Sequence, residues 1–274
     1  MPSQSPFILF HQPAQERLAA LRELLDTGLD PNCMDPAVRD GESLLGRAFS
    51  IDRKSVDMEV VQELLNRGAN PLRATMWCEE VGEIEPFFNQ VAFMAWENTT
   101  PTPAVISAHM VQESPVGSNV MHAILKACKD HGHTDREGND AMSHMIQKIS
   151  KWSHIHFAAP LRQAIAMGFP LDQPIENEAN AVHFLLRKYM LGTAQSGMGL
   201  PFNGVWDFVS DLVDAGIDMD KQDTKGSTAW EMLDHLEDQA RGIAAYEKIL
   251  SSRRGKVLDA GTAQVGLQRR SHRL

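Results

Sequence analysis

Leu24-Leu25-Asp26-Thr27-Gly28-Leu29-Asp30 decides the fold, because it comes back along the chain. It returns as Leu64-Leu65-Asn66-Arg67-Gly68-Ala69-Asn70 and as Leu212-Val213-Asp214-Ala215-Gly216-Ile217-Asp218. Looser copies stand at Cys128-Lys129-Asp130-His131-Gly132 and at Ile165-Ala166-Met167-Gly168-Phe169-Pro170-Leu171-Asp172. The phrase makes physical sense as a helix that buries an apolar pair in its last turn. A glycine able to take positive φ then closes it. Recurrence predicts a repeat array, in which each unit leaves an apolar face for its neighbour to cover.

A helix start follows each phrase. Asp223-Thr224-Lys225-Gly226-Ser227-Thr228-Ala229-Trp230 reads as a tight turn at Lys225-Gly226 followed by a capping threonine. The equivalent capping positions are Ser43, Asn89, Asp140 and Asn180, all residue types that accept from the free amides of a first helical turn. Apolar residues recur at helical spacing in Leu18, Leu21, Leu24 and Leu25, in Met58, Val61, Leu64 and Leu65, and in Phe208, Val209, Leu212 and Val213. Strand signals are poor. The 14 methionines and 7% aromatic content suit a helical interior.

With these residues in view, the chain resembles the ankyrin-repeat family, whose unit runs from a turn through T-P-L-H-x-A into two helices closed by a Leu pair and Gly. The 12-residue steps from Gly168 to Asn180 and from Gly216 to Thr228 match the family's spacing across the turn. The motif itself is eroded. No proline follows any cap, and its histidine survives only as His183. The step from Gly28 is three residues longer, that from Gly68 nine longer, and that from Gly132 four shorter. The expected fold is all-α: an ankyrin-like α-solenoid of about five degenerate helix-turn-helix repeats joined by short turns or hairpins, forming a single domain over 1–255. Two insertions interrupt it. One, near 75–117, contains Pro86, Pro101, Pro103 and Pro115; the other, near 192–204, is Gly-rich and read as a flexible loop. Residues 256–274 are expected to form a basic, disordered tail.

The net charge of −10 conceals a split. Residues 251–274 carry about +5 and the remainder about −15. An acidic body disfavours nucleic acid and favours a basic protein partner. Cys33, Cys78 and Cys128 are widely spaced and form no CxxC, which points to a reducing, cytoplasmic setting without a disulfide framework. No secretory leader and no run long enough to span a membrane is read in the chain.

No HExxH, P-loop, GxSxG or EF-hand pattern occurs, and Gly197-Met198-Gly199 lacks the third glycine of a dinucleotide loop. His131 with His133, and His154 with His156, alternate as metal ligands can, but lack a third ligand. Cys128 reads as a small core hydrophobe. No cofactor, no metal and no catalytic residue is expected. The candidate protein-binding residues are Trp77, Glu79, Glu80, Glu83 and Glu85, in an insertion expected to project from the array. There an aromatic anchor sits among carboxylates that steer a basic partner. The resemblance implies a non-enzymatic protein–protein interaction module. Charge refines it towards an inhibitor or immunity-type protein. The competing readings are an effector enzyme with its site in 75–117 and an accessory subunit of a larger complex.

Overall fold

The computed structural model describes residues 5–37, 41–50, 57–78, 83–97, 116–149, 157–196 and 203–253. Among them the expected all-α class holds. A short 3-10 helix Pro6–His11 leads into α1 (Ala14–Asp26), followed by α2 (Leu44–Ser50), α3 (Met58–Asn66), a hairpin of β1 (Thr75–Cys78) and β2 (Glu83–Pro86), α4 (Phe87–Glu97), α5 (Val116–His131), α6 (Ala141–Ile149) and α7 (Ala158–Ala166). Then come α8 (Ala181–Ser196), α9 (Asn203–Asp214), α10 (Ala229–His235), α11 (Glu237–Ala240) and a closing helix α12 over 244–253. The chain divides into two compact units, 1–169 and 170–274.

All five phrase glycines close helices. Gly28, Gly68, Gly132, Gly168 and Gly216 take φ between 62° and 98°, where a side chain would be strained. Both members of the pair are buried before Gly68 and Gly216, and Leu25 before Gly28; Leu64 and Leu65 are fully inaccessible, worth about 2 kcal/mol each in removed apolar surface. Within the first unit α1 packs on α3, α3 on α5 and α5 on α7, so the outer helices of successive pairs cover one another as the solenoid expectation requires. In the second unit α8 packs on both α9 and α10. There Trp206 is completely buried between the edges of Tyr189 and Tyr246, at ring distances of 5.3 Å each.

The polar residue two positions after three of these glycines has a purpose that periodicity alone does not disclose. Asp30, Asn70 and Asp218 accept the amide two residues on (Asn32, Leu72 and Asp220), folding the chain into the turn. Side-chain amides and carboxylates then tie turn to turn. Asn32 Oδ1 accepts the Asn70 N–H at 2.6 Å, the Asn70 side-chain amide donates to Thr134 O, and Asp172 accepts the Asp218 N–H at 2.9 Å.

Four of the five expected caps hold. Ser43 Oγ accepts from Gly46 N–H, Asp140 from Ser143, Asn180 from Val182 and His183, and Thr228 from Glu231 in a reciprocal capping box. Asn89 is a correction: it lies inside α4, which starts at Phe87. Strand β2 runs straight into this helix, and the Phe87 N–H is taken up by Ala74 O across the hairpin's root. A second correction concerns the loop expected from Gly192, since α8 continues to Ser196. Residues 197–202 and the basic tail 256–274 lie outside the described residues.

The hairpin also departs from expectation, because its root belongs to the core. Ser43 Oγ donates to Thr75 O at 2.8 Å, Thr75 Oγ1 donates to Gly41 O at 2.7 Å, and Met76, Phe87 and Phe88 are buried. Gly46 is there for close approach, since a Cβ at that position would stand 1.9 Å from Thr75 O. The insertion therefore bolts onto α2.

Candidate interaction surface

The first unit carries a groove of about 470 Å³ where three successive turns meet the start of α2. Met34 and Asn70 come from the turns after α1 and α3, Leu45 from α2, Arg73 from the end of the second turn, and His133 and Arg136 from the turn after α5. Arg73 is held rather than mobile: its Nε donates to Thr134 O and its Nη2 to Asp135 O, both at 3.0 Å. Arg136 is exposed and has no hydrogen bond or ion pair among the described residues. His133 Nε2 is buried without a partner among them. Burial, then the neighbouring His131 and Arg73, push the His133 imidazole below its ordinary pKa.

Beside the groove two large apolar side chains are exposed, Met34 at 36% and Trp77 at 40%. Both are anchored on the same short segment. Met34 bridges to Ser43 and lies against Gly41, while the Trp77 N–H donates to Glu42 Oε1 at 3.1 Å. Glu42 is itself buried and ion-paired with Arg47 at 3.2 Å. The backbone beneath Trp77 is thus fixed while its indole stays accessible, an arrangement suited to an anchor.

Of the other residues expected here, Glu83 and Glu85 stand on β2 opposite Cys78 and Met76, and Trp77 pairs with Ile84. The side chains of Glu83 and Glu85, and all of Glu79 and Glu80, lie outside the described residues. So do His154 and His156. His131 and His133 come within 5.4 Å, ring to ring, but among the described residues no group of three or more His, Cys, Asp or Glu is gathered as a metal site would require. Cys128 is buried as expected, and burial pushes its thiol up; Cys33 is pushed up to about 11 by burial and by Asp30 and Asp35, so it stays protonated. No helix among the described residues is long and apolar enough to cross a membrane.

Sequence reasoning missed two buried polar clusters. In the first unit His144 Nδ1 donates to Asp135 Oδ2 at 2.9 Å, and Asp135 also accepts from the Glu137 and Asn139 amides. In the second, Asp223 accepts from the Lys225 and Ser227 amides and from Arg187, which also pairs with Glu178. The signal was present: Asp135 and Asp223 each stand three residues before a turn glycine and five before a cap. Close by, the ring nitrogens of His183 lie 2.8 Å from Asn180 Oδ1 and 3.2 Å from Ser227 O, so the one surviving family histidine links two turns. These groups hold turns in shape.

No family model matches the chain, and no curated protein does. Among solved structures, the crystal structure of EF0377, an ankyrin repeat protein, is similar over 91% of this chain and 98% of its own, at 16% sequence identity and a TM-score of 0.43.

Proposed function

We propose that this chain is a non-enzymatic protein–protein interaction module that binds through the turn tips and hairpin of its first unit. The observation that carries the proposal is that exposed Met34, which lines the groove, and exposed Trp77 are both anchored to one segment, Gly41 to Ser43. Large apolar side chains held in place and left open cost little further ordering when a partner covers them. Asp135 with His144 and Asp223 with Arg187 are engaged in holding turns, which supports binding over turnover. The acidic body of a chain at −10 overall steers a basic partner, and that charge supports an inhibitor or immunity-type role.

The test compares Trp77→Ala with a quadruple variant, Glu79→Gln, Glu80→Gln, Glu83→Gln and Glu85→Gln, against a partner first identified by affinity capture and then purified. Trp77→Ala is expected to weaken binding by about 2 kcal/mol, mainly through faster dissociation. The quadruple variant is expected to slow association at low salt and to matter little at high salt. Normal folding and unchanged affinity in both variants would move the site elsewhere.

A further inference from the structure

The groove beside Met34 contradicts the charge of the chain that carries it. The protein as a whole is strongly acidic, yet Arg73, Arg136 and His133 line the groove and no described lining residue is a carboxylate. The apolar part is contributed by Met34, Leu45 and the alanines of the second turn. We propose that the groove seats an aspartate or glutamate side chain from an extended segment of the protein partner, with an apolar neighbour of that residue lying against Met34. This rests on the interaction-module reading and names the partner chemistry at that surface.

Three features favour a carboxylate over any other occupant. Arg73 uses two of its five N–H donors on Thr134 O and Asp135 O, which fixes the plane of the guanidinium and leaves donors for a charge-assisted bond. Arg136 sits exposed with no described partner, so a visiting anion displaces no existing ion pair. His133 in the same wall, its basicity lowered first by burial and then by His131 and Arg73, brings no negative charge against a visiting anion. An acidic chain overall and a cationic groove are compatible in one interface. The body sets the rate of encounter with a basic surface, and the groove sets the register by admitting an acid and rejecting a lysine or arginine.

The experiment uses the full chain against a positional-scanning library of capped octapeptides in which one position is fixed and the others are varied. Met34 methyl resonances and retained peptide are both read. Asp and Glu are expected to be enriched over Asn and Gln at one fixed position, with the Met34 methyl shifted by the same peptides. Arg136→Gln should weaken binding roughly fivefold, as loss of a partly exposed charge pair does, and Arg136→Glu should abolish the preference for acid. Arg136 supports nothing else in the described structure, so both variants should keep the wild-type unfolding midpoint. Enrichment of Lys or Arg, retention of no peptide, or an acid preference untouched by Arg136→Glu would each overturn the proposal. A captured protein partner that still binds the Arg136→Glu variant fully would also overturn it, while leaving the interaction-module reading standing. Loss of Trp77-dependent capture with the acid preference intact would do the reverse.

Discussion

The turn from Asp135 to Asp140 in the first unit and the turn from Asp223 to Thr228 in the second are the same object locked in two ways. In each, the aspartate accepts the amides two and four residues on, at 3.0 and 2.9 Å in the first and 2.8 and 2.9 Å in the second. Each aspartate's own N–H donates to the carbonyl four residues on at 2.9 Å, and the glycine between takes a φ of 88° or 81°. The second carboxylate oxygen is where they part. His144 reaches it in the first turn and Arg187 in the second. The backbone demands an acceptor carboxylate at this position and leaves the identity of the outer donor free. One unit has a titratable lock and the other a permanent charge.

Removing the acceptor should have the largest effect, and a larger one where the donor is charged. Asp223→Ala is expected to destabilise the second unit by about 3 kcal/mol, because it strands two turn amides and leaves Arg187 with Glu178 alone. Asp135→Ala should cost the first unit about 2 kcal/mol, since the donor left behind is a neutral imidazole. Hydrogen exchange read segment by segment separates the units. Equal losses would mean that the turn amides carry all the energy and that the outer donor is incidental.

Acid should then distinguish the two locks. Burial pushes the His144 imidazole below its ordinary pKa of 6.5, with Asp135 opposing and losing, so the ring is neutral in the folded chain at neutral pH. Below pH 6.5 the unfolded chain takes up a proton that the folded chain resists. The unfolded state binds more protons, and stability of the first unit must fall as pH drops, by at most about 1.4 kcal/mol per pH unit until the folded ring titrates. His133, depressed by burial and by neighbouring cations, adds a loss of the same sign. Asp135 and Asp223 are both held below the ordinary carboxylate value, since hydrogen bonds and opposite charge outweigh burial, so each begins to cost stability only near pH 4 and below. Between pH 6.5 and 5 exchange should therefore accelerate around Asp135 while that around Asp223 holds. His144→Gln should flatten the first response.

The part of this that sequence made legible is the part built from local rules. A Leu pair, a glycine and a capping side chain are read within a few residues of one another, and the five glycines and four of the five caps stand where they were expected. Asn89 failed because a hairpin, bonded through Ala74 O to the Phe87 amide, replaced the side-chain cap, and no local pattern announces a pairing between residues 74 and 87. The candidate surface was half legible. Trp77 is conspicuous in sequence, but the rigidity beneath it comes from Glu42, 35 residues away, and Arg73 and Arg136 become neighbours only when successive turns stack. The Asp–Gly–cap spacing of the two turns could have been found by aligning the repeats on their turn glycines rather than on their Leu pairs.

The smallest effect tests whether the two turns are alike beneath their different locks. Gly138 and Gly226 sit at nearly the same positive φ, and a Cβ added to either meets nothing within 4 Å. Steric conflict is therefore absent, and substitution by alanine carries only the strain of left-handed backbone in an L residue, offset in part by the lower entropy of the unfolded chain. Gly138→Ala and Gly226→Ala should each cost about 1 kcal/mol, and the same amount within error. Thermal unfolding combined with segment-resolved exchange measures both. Equality would show that the backbone of the turn sets its own energy and that His144 and Arg187 act on it only through the shared aspartate. A markedly larger loss at Gly226 would mean that the Arg187–Asp223 pair leaves the second turn less freedom to adjust to a side chain than the His144–Asp135 pair leaves the first.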